Sequence, residues 1–220
     1  MLFIRMNKNN VYDKKNIMCS QKVINKENTL IILDWDDTLF PTTWAIKNGI
    51  NLTDFSLKKK FNLYFSELDN ILFKFLTTLK GYGNIIIITN ALPIWVKTSC
   101  SLLPKTNILM SELKVLSARK NFKTCNNHIM DWKKLAFKNV VSKMQNNKII
   151  NVISVGDAEY EYFALIDLYN KNNNNKILKS IKLMDHPSQE TIIDQLEVLN
   201  NAIPNICTSS THLDLKFKLK

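Results

Sequence analysis

A cluster of acidic side chains directly after a short apolar run is the feature of this sequence best suited to chemistry. The run, Leu30–Leu33, is followed by three aspartates: Asp34, Asp36 and Asp37. Such a run is typical of a strand that is buried on both faces of a sheet. Burying carboxylates beside a core is costly unless a cation or hydrogen bonds offset the cost. Aspartate is also common in the turn after a strand, which is the alternative that needs no chemistry.

The spacing of these acids favours a functional site over an ordinary turn. Asp34 and Asp36 are two positions apart, and Thr38 completes a D-x-D-x-T pattern at the carboxyl end of the predicted strand. In open α/β sheets the ligand crevice lies outside the carboxyl ends of the strands. The segment resembles the first motif of the haloacid dehalogenase-like (HAD) hydrolases. The resemblance implies that Asp34 is a nucleophile, that Asp36 is a general acid and base, and that Thr38 positions the loop.

A second apolar run matches the next motif of that family. Ile85–Ile88 leads into Thr89 and Asn90, with Pro93 shortly after them. This pattern predicts a second buried parallel strand followed by a helix with proline in its first turn. Thr and Asn also serve as ordinary helix N-caps. The resemblance implies instead that Thr89 and Asn90 bind phosphate.

The family's third motif is a lysine near the start of a helix. Apolar spacing predicts an amphipathic helix at about residues 131–146, and its first turn contains Lys133 and Lys134. A solvated surface lysine is the ordinary alternative for either position. Apolar neighbours and the pattern W-K-x-x-A-F favour Lys133 as the phosphate-binding residue, while Lys134 stays a candidate.

The fourth motif follows in the expected order. A strand predicted at 149–155 runs into Gly156 and Asp157, and Glu161 lies four residues later. Acids at the start of a helix stabilise it by about 0.3–1 kcal/mol each, so helix capping is one interpretation. The resemblance implies that Asp157 and Glu161 are metal ligands, with Glu159 as a competitor for the second position.

Magnesium is the cofactor that these residues imply. A dianionic phosphate repels a carboxylate nucleophile, and an all-oxygen ligand set suits Mg²⁺. By resemblance, Asp34, Asp157 and Glu161 supply side-chain ligands and Asp36 supplies its backbone carbonyl. Aspartate at both motif positions favours phosphatase over dehalogenase chemistry. We therefore expect a magnesium-dependent phosphatase that hydrolyses a phosphate monoester through an aspartyl-phosphate intermediate.

Two other functions fit the same motifs. One is a catalytically idle HAD-like domain that binds a phosphorylated or nucleic-acid partner, and the other is a nucleic-acid end-processing phosphatase.

Trp35 departs from the aliphatic residue that the family usually has between its two acids. Its indole either lines the pocket or packs beneath the neighbouring loop, and we expect packing.

The order of apolar runs and helical segments predicts the fold class. We expect an α/β protein with a doubly wound (Rossmann-like) parallel sheet of about five strands, HAD-like and without a large cap. The predicted organisation has three parts: a polar Asn/Lys-rich tail at 1–28, a HAD-like hydrolase domain at 29–203 and a basic tail at 204–220. Without a large cap, a phosphate on a macromolecule can reach the site.

Composition limits the partners and the compartment. The chain has a formal net charge of +11, which suits a polyanion, but its lysines are scattered among asparagines and only Arg5 and Arg119 accompany them. The substrates that fit are a small phosphate ester, a phosphoprotein and a nucleic-acid end, with nucleic acid favoured by charge alone. No apolar run approaches the roughly 18 residues of a membrane span. The four cysteines are scattered, as expected of free thiols in a cytoplasmic or nuclear protein.

Overall fold

The computed structural model describes residues 2–6, 23–124, 127–144, 149–171 and 176–219. Residues 7–22 of the predicted tail, together with Cys19 and Cys125, lie outside this part. The strands in chain order are β1 Leu2–Met6, β2 Thr29–Leu33, β3 Asn84–Thr89, β4 Lys114–Ser117, β5 Asn151–Gly156, β6 Ile177–Lys182 and β7 Leu213–Leu219. They form one sheet in the order β1-β7-β6-β5-β2-β3-β4. Every neighbouring pair is parallel except β1 and β7, which are antiparallel.

Helices connect most of these strands. They are α1 Thr42–Lys47, α2 Phe55–Lys60, α3 Asn62–Tyr82, α4 Pro93–Cys100, α5 Pro104–Met110, α6 Ala118–Phe122, α7 Ile129–Lys143, α8 Glu159–Lys171 and α9 Gln189–Thr208. Helices α3 and α9 pack together on one face of the sheet, and α7 and α8 pack together on the other. The α/β class and the mostly parallel sheet are therefore confirmed.

The apolar run Leu30–Leu33 of the central strand β2 is buried on both faces of the sheet. Ile31 and Leu33 belong to the apolar core on one face of the sheet, whereas Leu30 and Ile32 belong to the core on the other face. Successive side chains of a strand point to opposite faces, so burial on both faces favours apolar residues at consecutive positions.

Among the residues that the structure describes, the sheet has seven strands, two more than the predicted number of about five. Strands β1 and β7 lie in the stretches interpreted as tails, where they pair with each other over residues 2–6 and 215–219. Helix α9 also continues past residue 203, with Pro204 inside it, to Thr208. Both ends of the chain thus contribute to the sheet. Among the described helices, none has the length and apolar character needed to cross a membrane.

Candidate active site

The four sequence motifs meet at one edge of the sheet. Strand β2 lies between β3 and β5 and runs parallel to both, so the carboxyl ends of all three point the same way. The backbone N–H of Asp34 donates to the Val155 carbonyl at 3.0 Å, which extends the β2–β5 ladder into the first motif. Residues that follow these three strands are therefore neighbours, although they are more than 50 positions apart in the chain.

Trp35 anchors the loop that carries the first two acids. Its side chain has 0% exposure, stacks on Phe40, and donates its indole N–H to Ser99 Oγ at 2.9 Å. The backbone N–H groups of Leu39 and Phe40 donate to the Trp35 carbonyl, which closes a tight turn. Asp37 adopts a left-handed backbone conformation (φ 54°) within that turn. The expectation that Trp35 packs rather than lines a pocket is confirmed.

Lys133 lies at the centre of the site. Its side chain is fully buried, and Nζ lies 2.7 Å from Asp34 Oδ1 and 2.6 Å from Glu161 Oε1. The same ammonium group donates to the Ile88 carbonyl at 2.7 Å. Lys134 is one third exposed and lies 3.7 Å from Asp131 in its own helix. The structure therefore brings Lys133, and not Lys134, to the predicted acids.

Thr38 and Asp157 hold each other in place. The Thr38 hydroxyl donates to Asp157 Oδ1 at 3.2 Å and accepts from the Asp157 backbone N–H at 3.0 Å. The ammonium group of Lys182 donates to the Asp157 carbonyl and to the Asp185 carboxylate. Sequence reasoning missed Lys182. The available signal was a lysine at the carboxyl end of β6, the strand next to β5, whose six residues are all buried.

Gly156 makes room for the carboxylate of Glu161. A Cβ atom added at Gly156 would lie 2.4 Å from Glu161 Cγ and 2.6 Å from its Cδ. Any side chain at this position would therefore displace Glu161 from its contact with Lys133. Glu159, the competing candidate, is exposed.

Asp36 is held by three donors. Its Oδ1 accepts from Thr42 Oγ1 at 2.5 Å and from the Trp95 indole at 2.8 Å, and its Oδ2 accepts from Thr89 Oγ1 at 3.3 Å. Sequence reasoning named Thr89 but missed Thr42 and Trp95. These contacts connect α1 and α4 to the first motif, and no local spacing in the sequence indicates them.

The helix-capping interpretation of the second motif is wrong. Leu92 occupies the N-cap position of α4, and neither Thr89 nor Asn90 caps that helix with its side chain. The Thr89 hydroxyl instead contacts Asp36 and accepts from the Ala91 backbone N–H at 3.0 Å. The side-chain oxygen of Asn90 is buried without a hydrogen-bond partner among the described residues. Both residues thus lie at the site, and Asn90 has unused polar capacity there.

The site carries more negative charge than Lys133 can balance. Burial raises the pKa of Asp34 to about 7 although Lys133 opposes the rise, and Glu161 adds to it. Burial raises the pKa of Asp157 to about 8, with repulsion from Asp34 and Glu161 as further causes. Burial alone would lower the pKa of Lys133, but the two carboxylates beside it raise that pKa overall.

The excess of negative charge over the single lysine is relevant to the expected magnesium site. Within the described residues, no three acidic, histidine or cysteine side chains converge closely enough to form a metal site by themselves. Glu161, predicted as a ligand, directs Oε1 to Lys133. The raised pKa values of Asp34 and Asp157 nevertheless identify two oxygen donors that a cation would stabilise in their ionised forms. Carboxylate oxygens of this kind suit a hard divalent cation.

Comparison with known proteins does not identify the chain. A scan of the sequence against protein-family models gives no match, and a comparison with curated proteins gives none either. Inference about function therefore depends on the residues and on their geometry.

Proposed function

We propose that the protein is a magnesium-dependent phosphatase that hydrolyses a phosphate monoester through an aspartyl-phosphate intermediate. The observation that carries this proposal is the contact of Lys133 with Asp34 at the carboxyl end of the central strand, beside Asp157. Phosphoryl transfer needs a nucleophile, charge neutralisation and a proton for the leaving group. The arrangement contains one group for each of these tasks.

Asp34 is the nucleophile in this proposal. Its carboxylate attacks phosphorus, a P–O bond forms, and the bond from phosphorus to the leaving oxygen breaks. Lys133 orients the carboxylate through its contact with Oδ1 and stabilises negative charge on the transferred group. A covalent intermediate divides one difficult displacement into two easier ones.

Asp36 is the acid and base. It gives a proton to the leaving oxygen and later removes a proton from the water that attacks the aspartyl-phosphate, so that phosphate is released and Asp34 is regenerated. Donors from Thr42, Trp95 and Thr89 fix its carboxyl group. Positioning of this kind is a large part of enzymatic rate acceleration.

The metal would be held by the Asp34 and Asp157 carboxylates and the Asp36 carbonyl. When bound, Mg²⁺ supplies neutralisation of the phosphate charge, which the single lysine does not provide alone. Thr38 and Lys182 hold the Asp157 backbone and carboxyl group in position for this role.

The fold in this proposal is HAD-like without a large cap. The connection from β2 to β3 contains α1, α2 and the long helix α3, and the connection from β3 to β4 contains α4 and α5. Neither connection has a separate sheet among the described residues. The substrates that fit remain a small phosphate ester, a phosphoprotein and a nucleic-acid end.

Phosphate release from phenyl phosphate, a simple phosphate monoester, with and without Mg²⁺, tests the proposal. We expect magnesium-dependent turnover that is lost in Asp34→Asn and retained in Asp194→Asn, a control at an exposed aspartate of α9. Acid quenching with labelled substrate should trap a covalent phosphoenzyme that Asp34→Asn does not form. Turnover that persists in Asp34→Asn would overturn the mechanism. A folded protein that neither turns over nor binds Mg²⁺ would favour the idle binding domain.

A further inference from the structure

A groove opens beside Asp36. Its volume is about 410 Å³, and its lining includes Asp36, Thr42 and Trp95. The other lining residues come from α1, α4, the turn before α4, and α6. Asp36 is the residue that would protonate the leaving oxygen, so a group attached to that oxygen would extend into this groove.

The walls of the groove are apolar and exposed. Ile46 of α1 is 66% exposed, Ile94 of α4 is 66% exposed, and Leu92 is 43% exposed. Single exposed apolar residues are common, but three around one cavity beside a catalytic acid form a surface that water solvates poorly. Such walls favour a flat apolar group over a sugar or a short hydroxyl-bearing side chain.

A single cation also lines the groove. Arg119 is one of only two arginines in the sequence, and its side chain is exposed. No acidic side chain of the described residues forms an ion pair with it. A free guanidinium at the groove complements a carboxylate on the occupant, since arginine binds carboxylates with two parallel hydrogen bonds.

We propose that this groove binds the aromatic ring of a phosphotyrosine in an acidic peptide segment, an inference that rests on the proposed phosphatase function. The ring contacts Ile46, Leu92 and Ile94, its oxygen faces Asp36, and an acidic residue of the peptide pairs with Arg119. The groove is open and its walls are exposed, so it suits a residue presented on a chain better than an enclosed metabolite. The net charge of +11 favours an acidic partner.

A comparison of substrates tests which chemical group occupies the groove. The full chain with Mg²⁺ is assayed on an acidic phosphotyrosyl peptide, the same peptide with neutral residues, a phosphoseryl peptide and a 3′-phosphorylated DNA oligonucleotide, with acetyl phosphate as the reference. We expect the highest kcat/KM for the acidic phosphotyrosyl peptide. A higher value for the phosphoseryl peptide or the oligonucleotide would overturn the proposal.

Variants test which side chains decide the preference. Ile94→Ser should lower the ratio of kcat/KM for the phosphotyrosyl peptide to that for acetyl phosphate by about tenfold, since a small apolar contact contributes about that much discrimination. Arg119→Gln should abolish the preference for the acidic over the neutral peptide. Lys120→Gln, which removes a neighbouring exposed cation, should keep that preference. Wild-type ratios in both Ile94→Ser and Arg119→Gln would overturn the assignment.

Calorimetry can measure how tightly the protein binds a non-hydrolysable phosphonate analogue of the acidic peptide. This measurement, together with the hydrolysis assays, distinguishes the groove proposal from the phosphatase proposal. Hydrolysis of acetyl phosphate without discrimination among peptides would leave the phosphatase and reject the groove assignment. Absence of any hydrolysis would reject the phosphatase. In that case, weaker analogue binding by Ile94→Ser and Arg119→Gln would still support the groove, and unchanged binding would reject it.

Discussion

Lys133 is a buried cation whose neighbours depend on it. Its ammonium group faces the carboxylates of Asp34 and Glu161 and the carbonyl of Ile88. Removing one partner from a buried ion pair leaves the other charges desolvated and unpaired, which typically costs about 3–5 kcal/mol. Lys134, the neighbour in sequence, forms only a surface contact with Asp131. The two lysines therefore differ in their contribution to the stability of the fold as well as in their proposed chemical role.

We expect Lys133→Met to lower the free energy of unfolding by about 3 kcal/mol because two buried carboxylates lose their cation. The matched variant Lys134→Met should change it by less than about 1 kcal/mol, as surface ion pairs do. Urea denaturation near neutral pH measures both values. Equal effects of the two substitutions would contradict the central position of Lys133.

At the scale of elements, the turn from β5 to α8 is shaped by one steric contact. The Glu161 carboxylate, which originates in the first turn of α8, folds back over Gly156 to reach Lys133. The requirement for glycine here is steric, because a Cβ atom at Gly156 would overlap the Cγ and Cδ atoms of Glu161. A methyl group at Gly156 must therefore displace a buried, ion-paired side chain.

We expect Gly156→Ala to lower the free energy of unfolding by about 2 kcal/mol, the usual cost of overpacking. In a Glu161→Ala background the obstructing atoms are gone, so the same substitution should cost less than about 1 kcal/mol. A double-mutant cycle from denaturation curves gives the coupling. An identical cost in both backgrounds would show that the contact with Glu161 is not the cause.

At the scale of the whole molecule, the sequence predicted the central part better than the edges. The runs Leu30–Leu33 and Ile85–Ile88 are buried on both faces, and this leaves an unmistakable apolar signature. In strand β7 the apolar residues alternate with Asp214, Lys216 and Lys218, so its sequence resembles a basic tail and lacks a continuous apolar run. The contact of Trp95 with Asp36 depends on how α4 packs, which no local pattern encodes.

Because β7 is part of the sheet, substitutions in it should affect stability in a way that substitutions in an unpaired tail would not. Phe217 is 2% exposed and belongs to the core, whereas Lys218 beside it is exposed. We expect Phe217→Ala to lower the free energy of unfolding by about 3 kcal/mol, as in other large-to-small core substitutions. Lys218→Ala should change it by less than about 0.5 kcal/mol. Two similarly small effects in urea denaturation would mean that β7 does not stabilise the sheet.

Another buried lysine lies in β6, where this strand packs against the C-terminal end of α9. Lys179 has 0% exposure, and its Nζ donates to the carbonyls of Ile206 at 2.7 Å and Cys207 at 3.1 Å. It has no ion pair with any described acidic residue, and burial lowers its pKa from 10.5 to about 8. Folding thus favours the neutral amine at this position.

The sign of the pH dependence follows from this lowered pKa. Below about pH 8 both the folded and the unfolded chain carry the proton, and the folded state bears the cost of a buried charge. Between about pH 8 and pH 10.5 the unfolded chain keeps a proton that the folded chain has released, so the contribution of Lys179 to stability rises with pH. The rise should reach the order of 3 kcal/mol, since each unit of pKa difference corresponds to about 1.4 kcal/mol.

A comparison with Lys179→Met isolates this contribution. Both proteins should carry Cys207→Ala, because burial raises the pKa of the Cys207 thiol to about 11 and its ionisation acts in the opposite direction. We expect the free energy of unfolding of the lysine protein, minus that of the methionine protein, to increase from about pH 7 to about pH 10. Groups common to both proteins cancel in the difference. A difference that stays constant with pH would mean that Lys179 keeps its ordinary pKa in the fold, and that the two carbonyls of α9 stabilise the ammonium ion as well as water does.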